Sequence, residues 1–379
     1  MSSNNLVNEP ARSGHLVCSN SLHKSRDKNK EANRNDRQIV SGLRSCLWGL
    51  ATISILAGQA IAPIDIFPDV FSAQAQPLVN NRTPSRAVDG RVSSLLIDSY
   101  GRLWVGTWRG LIEVNPSNGK TLFVVNLPSP VVTTMLLDDY GKLWVGTASG
   151  LFQVQPDTGK VENVTINLPS NRILSLAIDR AGFIWVGTEQ GIVRISPTSA
   201  ETYARLPNIP GTAANVMQID NAGQLWVGTL EGIIKINPGT AEITARIPYV
   251  AGQIVQAITL DPQGLIWAGT PRNVILVNPA TNKAIARINS VTDRDILALA
   301  SDKKGELWVG TRDGLVRVDT DNGEITATIQ NLPSSGIGTL LLSDRQLWIG
   351  TRNGLAKLNA DVKIFDNRTS NAKVIYATP

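Results

Sequence analysis

The chain has 379 residues, and its 36 Lys/Arg against 31 Asp/Glu give a formal charge of +5. Residues 1–44 hold eight of the basic and four of the acidic residues, so the remainder is near neutral at 28 against 27, which speaks against nucleic-acid binding by the body of the chain. The only cysteines are Cys18 and Cys46 and the only histidines His15 and His23, which excludes disulfides, Cys/His zinc sites, Ser-His-Asp triads and Cys-His dyads from residue 47 onward.

Residues 1–44 are polar and too poor in apolar surface to fold alone, so they read as a disordered basic segment. Residues 45–75 follow, opening with an uncharged run from Ser45 to Ile64 and ending in Ala73-Gln-Ala75. A basic flank, an apolar stretch and an A-x-A site are the order of a secretory signal peptide; Ala60-x-Ala62 is a second cleavage candidate. The alternative is an uncleaved anchor, since about 20 apolar residues can span a bilayer. Either reading sends the C-terminal part outward, to the periplasm or the exterior, with the membrane met only through this segment. Residues 76–90 read as a linker.

From Arg91 the chain is periodic. Leu103-Trp-Val-Gly-Thr107 recurs six more times, with tryptophans at 104, 144, 185, 226, 267, 308 and 348, spaced 40, 41, 41, 41, 41 and 40 residues apart. Each period reads as four short strands. In the third, Ile173–Ile178 leads into the turn Asp179-Arg-Ala-Gly182. Phe183–Thr188, Ile192–Ile195 and Glu201–Leu206 follow, separated by turns. Blade-sized periods with apolar residues on both strand faces predict an all-β fold, a single seven-bladed β-propeller over 91–366 whose blades are four-stranded antiparallel sheets. Within the second strand, Trp and Gly share one face. The tryptophan is therefore expected to wedge between blades, and the glycine to let a neighbour approach. The Asp-x-x-Gly turns read as Asx-turns, without metal. The fifth period departs from the pattern with Pro271-Arg272-Asn273, where Asn273 reads as a left-handed stand-in for glycine. The seventh has a shortened turn, Ser343-Asp344-Arg345. Residues 367–379 read as a tail in which Lys373-Val-Ile-Tyr376 is strand-like and could pair with an outer edge.

The pattern Asp-x-x-Gly-x-Leu-Trp-Val-Gly-Thr-x-x-Gly-Leu, seen in Asp98–Leu111, Asp138–Leu151 and Asp302–Leu315, resembles the two-component regulator propeller repeat. That resemblance implies an extracytoplasmic ligand-binding sensor propeller, some of whose relatives respond to polysaccharide fragments. Only 25 residues follow Gly354, without a kinase, receiver or DNA-binding domain, so a sensor role needs a partner protein such as a sensor kinase. The layout resembles more distantly the virginiamycin B lyase propellers, whose chemistry uses a histidine base that is missing from the repeat region here.

No residue set points to a catalytic group, a metal or a cofactor. The search for a site therefore moves to the turns after each Trp-Val-Gly-Thr, which share one end of the ring with the links between blades. Arg109, Arg272, Arg312 and Arg352 fall in periods 1, 5, 6 and 7, consecutive once the ring closes, while Glu189 and Glu231 occupy periods 3 and 4. The expectation is a basic arc for an anionic group, with Trp108 as a stacking platform. The ligand would be a small molecule or an acidic oligosaccharide; the alternative is a scaffold that binds a partner protein.

Overall fold

The computed structural model describes residues 90–164 and 166–360, with the backbone of three short strands at Arg82–Thr83, Ser370–Asn371 and Lys373–Val374. The segments read as disordered (1–44) and as signal or anchor (45–75) lie outside the described residues. So does most of the linker 76–90. Among the described residues, no helix is long and apolar enough to cross a membrane.

The fold is a seven-bladed β-propeller of antiparallel meanders. Blade 3 shows the unit: Ile173–Ile178, Ile184–Thr188, Gly191–Ile195 and Thr202–Leu206, hydrogen-bonded in that order. The sheets of the other blades begin at Val92, Val132, Val216, Ala257, Ile296 and Ile337 and follow the same sequential pairing. Two sheets carry a fifth strand, Arg82–Thr83 beside the outer strand of blade 1 and Ser370–Asn371 beside that of blade 6. The seventh blade takes its outer strand from Lys373–Val374, which pairs antiparallel with Gly354–Asn359 and lies beyond Asp366, in the stretch read as tail.

What holds the ring is visible in the second strand. All seven tryptophans are no more than 2% exposed. Each packs into the following blade: Trp104 against Val132, Leu143 and Val145, and Trp144 against Ile173, Ile184 and Val186. The glycine two residues on lets that neighbour come close. A Cβ at Gly146 would lie 2.6 Å from Ile173, and one at Gly310 would lie 2.6 Å from Ile337. The seventh blade closes on the first by the same contacts. Trp348 packs with Val92, Leu103 and Val105, a Cβ at Gly350 would lie 2.6 Å from Val92, and Lys357 Nζ donates to the Pro116 carbonyl at 2.9 Å. Closure is therefore face-to-face packing of two complete sheets, the arrangement that shields both apolar faces of every blade.

The turn aspartates do more than shape their turns. Asp98 Oδ1 accepts from the backbone N–H of Tyr100 and Arg102, as an Asx-turn should, while Oδ2 accepts from the indole N–H of Trp104 at 3.0 Å. Asp138, Asp179 and Asp220 bind Trp144, Trp185 and Trp226 in the same way, at 2.8, 2.9 and 2.7 Å. Burial works to raise the Asp98 carboxyl, but the bonds from Trp104, Arg102 and Tyr100 outweigh it and hold it below its ordinary value.

Candidate functional site

In an antiparallel meander, the turn between second and third strands lies at the same end of the blade as the link that feeds its first strand. The Trp-Val-Gly-Thr threonine fixes that turn. Thr107 Oγ1 donates to the Gly110 carbonyl at 2.9 Å and accepts from the Arg109 N–H at 3.1 Å. The pattern repeats at Thr147, Thr188, Thr229, Thr311 and Thr351, so the two residues after each threonine project from a rigid hairpin. Blade 5 reaches the same end differently. Asn273 is buried and is absent from the positive-φ residues, so it does not stand in for a left-handed glycine; its N–H donates instead to Thr270 Oγ1 at 3.0 Å.

The four arginines of the expected arc share this end but differ in their engagement. Arg312 is ion-paired with Asp295 of its own blade's link at 2.8 Å. On the acidic side of the ring, Glu189 is likewise paired, with Arg172 at 2.8 Å. Arg272 borders a shallow cleft with Gln253, Ile254, Arg287 and Asp293. Arg109 lies over Gly90, its Cδ 3.7 Å from where a Cβ would stand.

Trp108 and Arg352 stand on the two blades that meet at the seam of blades 7 and 1, where a residue that the repeat pattern does not single out interacts with both. Arg91, immediately before the first strand of blade 1, holds its guanidinium carbon 4.7 Å from the centroid of Trp108, which is 50% exposed. The Arg91 carbonyl accepts from the Trp108 N–H at 3.1 Å, which ties link to turn. Arg352 lies across Gly336, where a Cβ would come within 2.8 Å of its Nε, so glycine is what lets that side chain lie flat. Burial and the neighbouring Arg352 both hold the Arg91 guanidinium below its ordinary value. A guanidinium thus lies beside an exposed indole, within the electrostatic reach of a second cation from the adjacent blade. The only sign of Arg91 in the sequence was its place at the ring junction, because its partner lies at the far end of the repeat array.

Among the described residues, no group of three or more His, Cys, Asp or Glu side chains is placed to hold a metal ion. The Asp-x-x-Gly carboxylates of blades 1 to 4 are occupied by their own turns and tryptophans.

Residues 88–109, 126–149, 167–190 and 290–313 match the family described as two component regulator propeller. No curated protein matches the sequence. Among solved structures, the extracellular domain of a hybrid two component system from B. thetaiotaomicron is 21% identical with a TM-score of 0.61, covering 74% of this chain. The chain spans only 43% of that domain. A catalytically inactive histidine-to-alanine variant of virginiamycin B lyase from Staphylococcus aureus with quinupristin is 15% identical with a TM-score of 0.61, covering 72% of this chain and 95% of that one. At such identities the likeness is one of fold. The matched segments contain the link, inner strand, tryptophan strand and turn of blades 1, 2, 3 and 6, so four of the seven blades carry a segment that matches the two component regulator propeller family.

Proposed function

We propose that the chain is a non-catalytic, extracytoplasmic binding propeller that recognises an anionic group, such as the carboxylate or sulfate of an acidic oligosaccharide, at the seam of blades 7 and 1. The observation that carries this reading is the Arg91 guanidinium stacked on the half-exposed Trp108, with the charge of Arg352 acting on it from the adjacent blade. Two guanidiniums within electrostatic reach repel one another, and an anion beside them offsets that repulsion while gaining charge-assisted hydrogen bonds. The indole offers a flat apolar surface against which a sugar ring can lie. The family match supports a sensor role, in which a partner protein carries the output. A lyase is the weaker reading, because both histidines precede residue 47 and the repeat region has no imidazole to act as a base.

The test is a thermal-shift titration of the protein with matched acidic and neutral oligosaccharides. A ligand that binds only the folded state raises the midpoint with concentration. The expected result is a shift of several degrees with acidic oligomers alone, abolished in Arg91→Ala/Arg352→Ala and reduced in Trp108→Ala. Equal shifts with neutral oligomers, or an unchanged shift in the double variant, would overturn the reading.

A further inference from the structure

The opposite end of the ring carries a second candidate that does not depend on the seam. There the turns between first and second strands lean on one another around the channel mouth. Asp139 of blade 2 lies against Gly182 of blade 3, Arg180 donates to the Asn221 carbonyl of blade 4, and Asn221 lies against Gly264 of blade 5. Between blades 6 and 7 the turn is one residue shorter, because Leu342 pairs with Leu347 where Ile97 pairs with Leu103. A cleft of about 660 Å³ borders this shortened turn, lined by Ser301, Asp302, Lys303, Lys304, Asp344 and Arg345 among others.

Its composition is not what folding alone asks for. The residue before the turn aspartate is apolar in the first five blades (Ile97, Leu137, Ile178, Ile219, Leu260), yet blade 6 has Ser301. Its Oγ is buried and has no hydrogen-bond partner among the described residues. A buried hydroxyl left unsatisfied is destabilising, so the position calls for an acceptor. Lys303-Lys304 is the only doubly basic pair among the turns at this end, and Arg345 faces it from blade 7. Three cations against two carboxylates leave the lining positive. Asp302 spends Oδ1 on the N–H groups of Lys304 and Glu306, at 2.8 and 3.0 Å. Lys304 and Arg345 hold interactions of their own, so the main neutralising role falls to Lys303.

We infer that this cleft binds a compact oxyanion, a phosphate or sulfate group either free or carried on a sugar, with Ser301 Oγ donating from the floor and Lys303 closing from the rim. Asp344 opposes the ligand and sets a ceiling on its affinity.

The experiment is isothermal titration of the full chain with inorganic phosphate, sulfate and glucose 6-phosphate. Saturable binding is expected for at least one of them; tighter binding of glucose 6-phosphate assigns the site to a sugar-borne group, and equal binding to the free ion. Ser301→Leu restores the residue type of the other blades and should melt no lower than the parent. It and Lys303→Glu should each weaken binding about tenfold, the loss expected for one hydrogen bond to a charged group. Asp344→Asn should tighten it, and Arg91→Ala/Arg352→Ala should leave it unchanged. Absence of saturable binding, or parental affinity in Ser301→Leu, would overturn the inference. Should Ser301→Leu fold poorly, the exposed Lys303→Glu decides alone, and parental affinity there overturns it as well.

Discussion

In blades 1 to 4 the turn aspartate is bonded to the strand tryptophan six residues on; in blades 5 and 6 the same two residues stand at the same spacing without that bond. Trp267 Nε1 and Trp308 Nε1 are buried with no partner among the described residues. Blades 3 and 6 also differ in how the arginine beside the tryptophan is engaged. In blade 3, Arg194 and the Trp185 indole converge on Asp179 Oδ2, at 2.7 and 2.9 Å. In blade 6 the corresponding Arg317 is drawn to Glu306 at 3.0 Å and to Thr326 Oγ1 at 3.1 Å, where blade 3 has Phe183 in place of the glutamate. Burial raises the Glu306 carboxyl, and the neighbouring Arg317 only partly counters it. The first four blades satisfy the indole of their tryptophan, although Thr121 Oγ1 of blade 1 is buried without a partner among the described residues. Blades 5 and 6 leave hydrogen-bonding capacity unused, and both candidate sites sit where the repeat is broken or closed. Local lapses of that kind are where function is expected to reside.

The largest effect should not separate the two sets of blades. Trp185→Ala and Trp308→Ala each empty a wedge that fills the gap to the next blade, and each should cost about 3–5 kcal/mol. Denaturant midpoints measure this, and a loss well below that range at Trp308 would mean that the seventh blade does not rest on it. The comparison opens with the aspartates. Asp179→Ala removes the acceptor of an indole and of the nearly buried Arg194, and should cost about 3 kcal/mol. Asp302→Ala loses only the two backbone bonds of its turn, and should cost about 1–2 kcal/mol. Equal losses at the two positions would show that the indole bond contributes nothing measurable.

Trp185→Phe against Trp308→Phe isolates that bond further, since both keep a large ring in the wedge. The blade 3 variant leaves a buried carboxylate oxygen short of a donor, while the blade 6 variant deletes an N–H that had no partner. The first should cost about 1–3 kcal/mol more than the second. A difference of the opposite sign would mean that Trp308 Nε1 is bonded in solution, by water for instance.

Most of the ring was legible because it is dictated by spacing. Seven tryptophans at 40 to 41 residues fixed the blade count, and the four strands read for the third period match those observed to within one residue at each end. The Asp-to-Trp interval of six was equally visible, at 98/104 through 302/308. The lapse of the bond in blades 5 and 6 was not, because it depends on where the indole and the carboxylate point and not on their positions in the chain. The same limit applied to the sites. Arg312 stood out as a charged residue at one end of the ring, but only folding pairs it with Asp295. Arg91 went unnoticed because its neighbour Arg352 belongs to the last blade, and the short outer strand of that blade comes from beyond Asp366.

The smallest expected effect concerns acid. The Asp98 carboxyl is held below its ordinary value, so the folded state takes up its proton less readily than the unfolded chain does. Its contribution is therefore complete above the unfolded carboxylate range, near pH ~3.9, and is lost as the pH falls through that range toward the folded value. Asp98→Asn keeps an acceptor for the turn N–H groups but carries no titrating charge. It should lower stability near neutrality and flatten the acid limb of a plot of denaturant midpoint against pH between about 6 and about 2.5. The bonds responsible come from Trp104 and the Arg102 side chain onto Oδ2 and from the Arg102 and Tyr100 N–H groups onto Oδ1. An acid limb as steep in Asp98→Asn as in the parent would assign acid sensitivity to other carboxylates, and would leave the Trp104 indole bond without electrostatic weight.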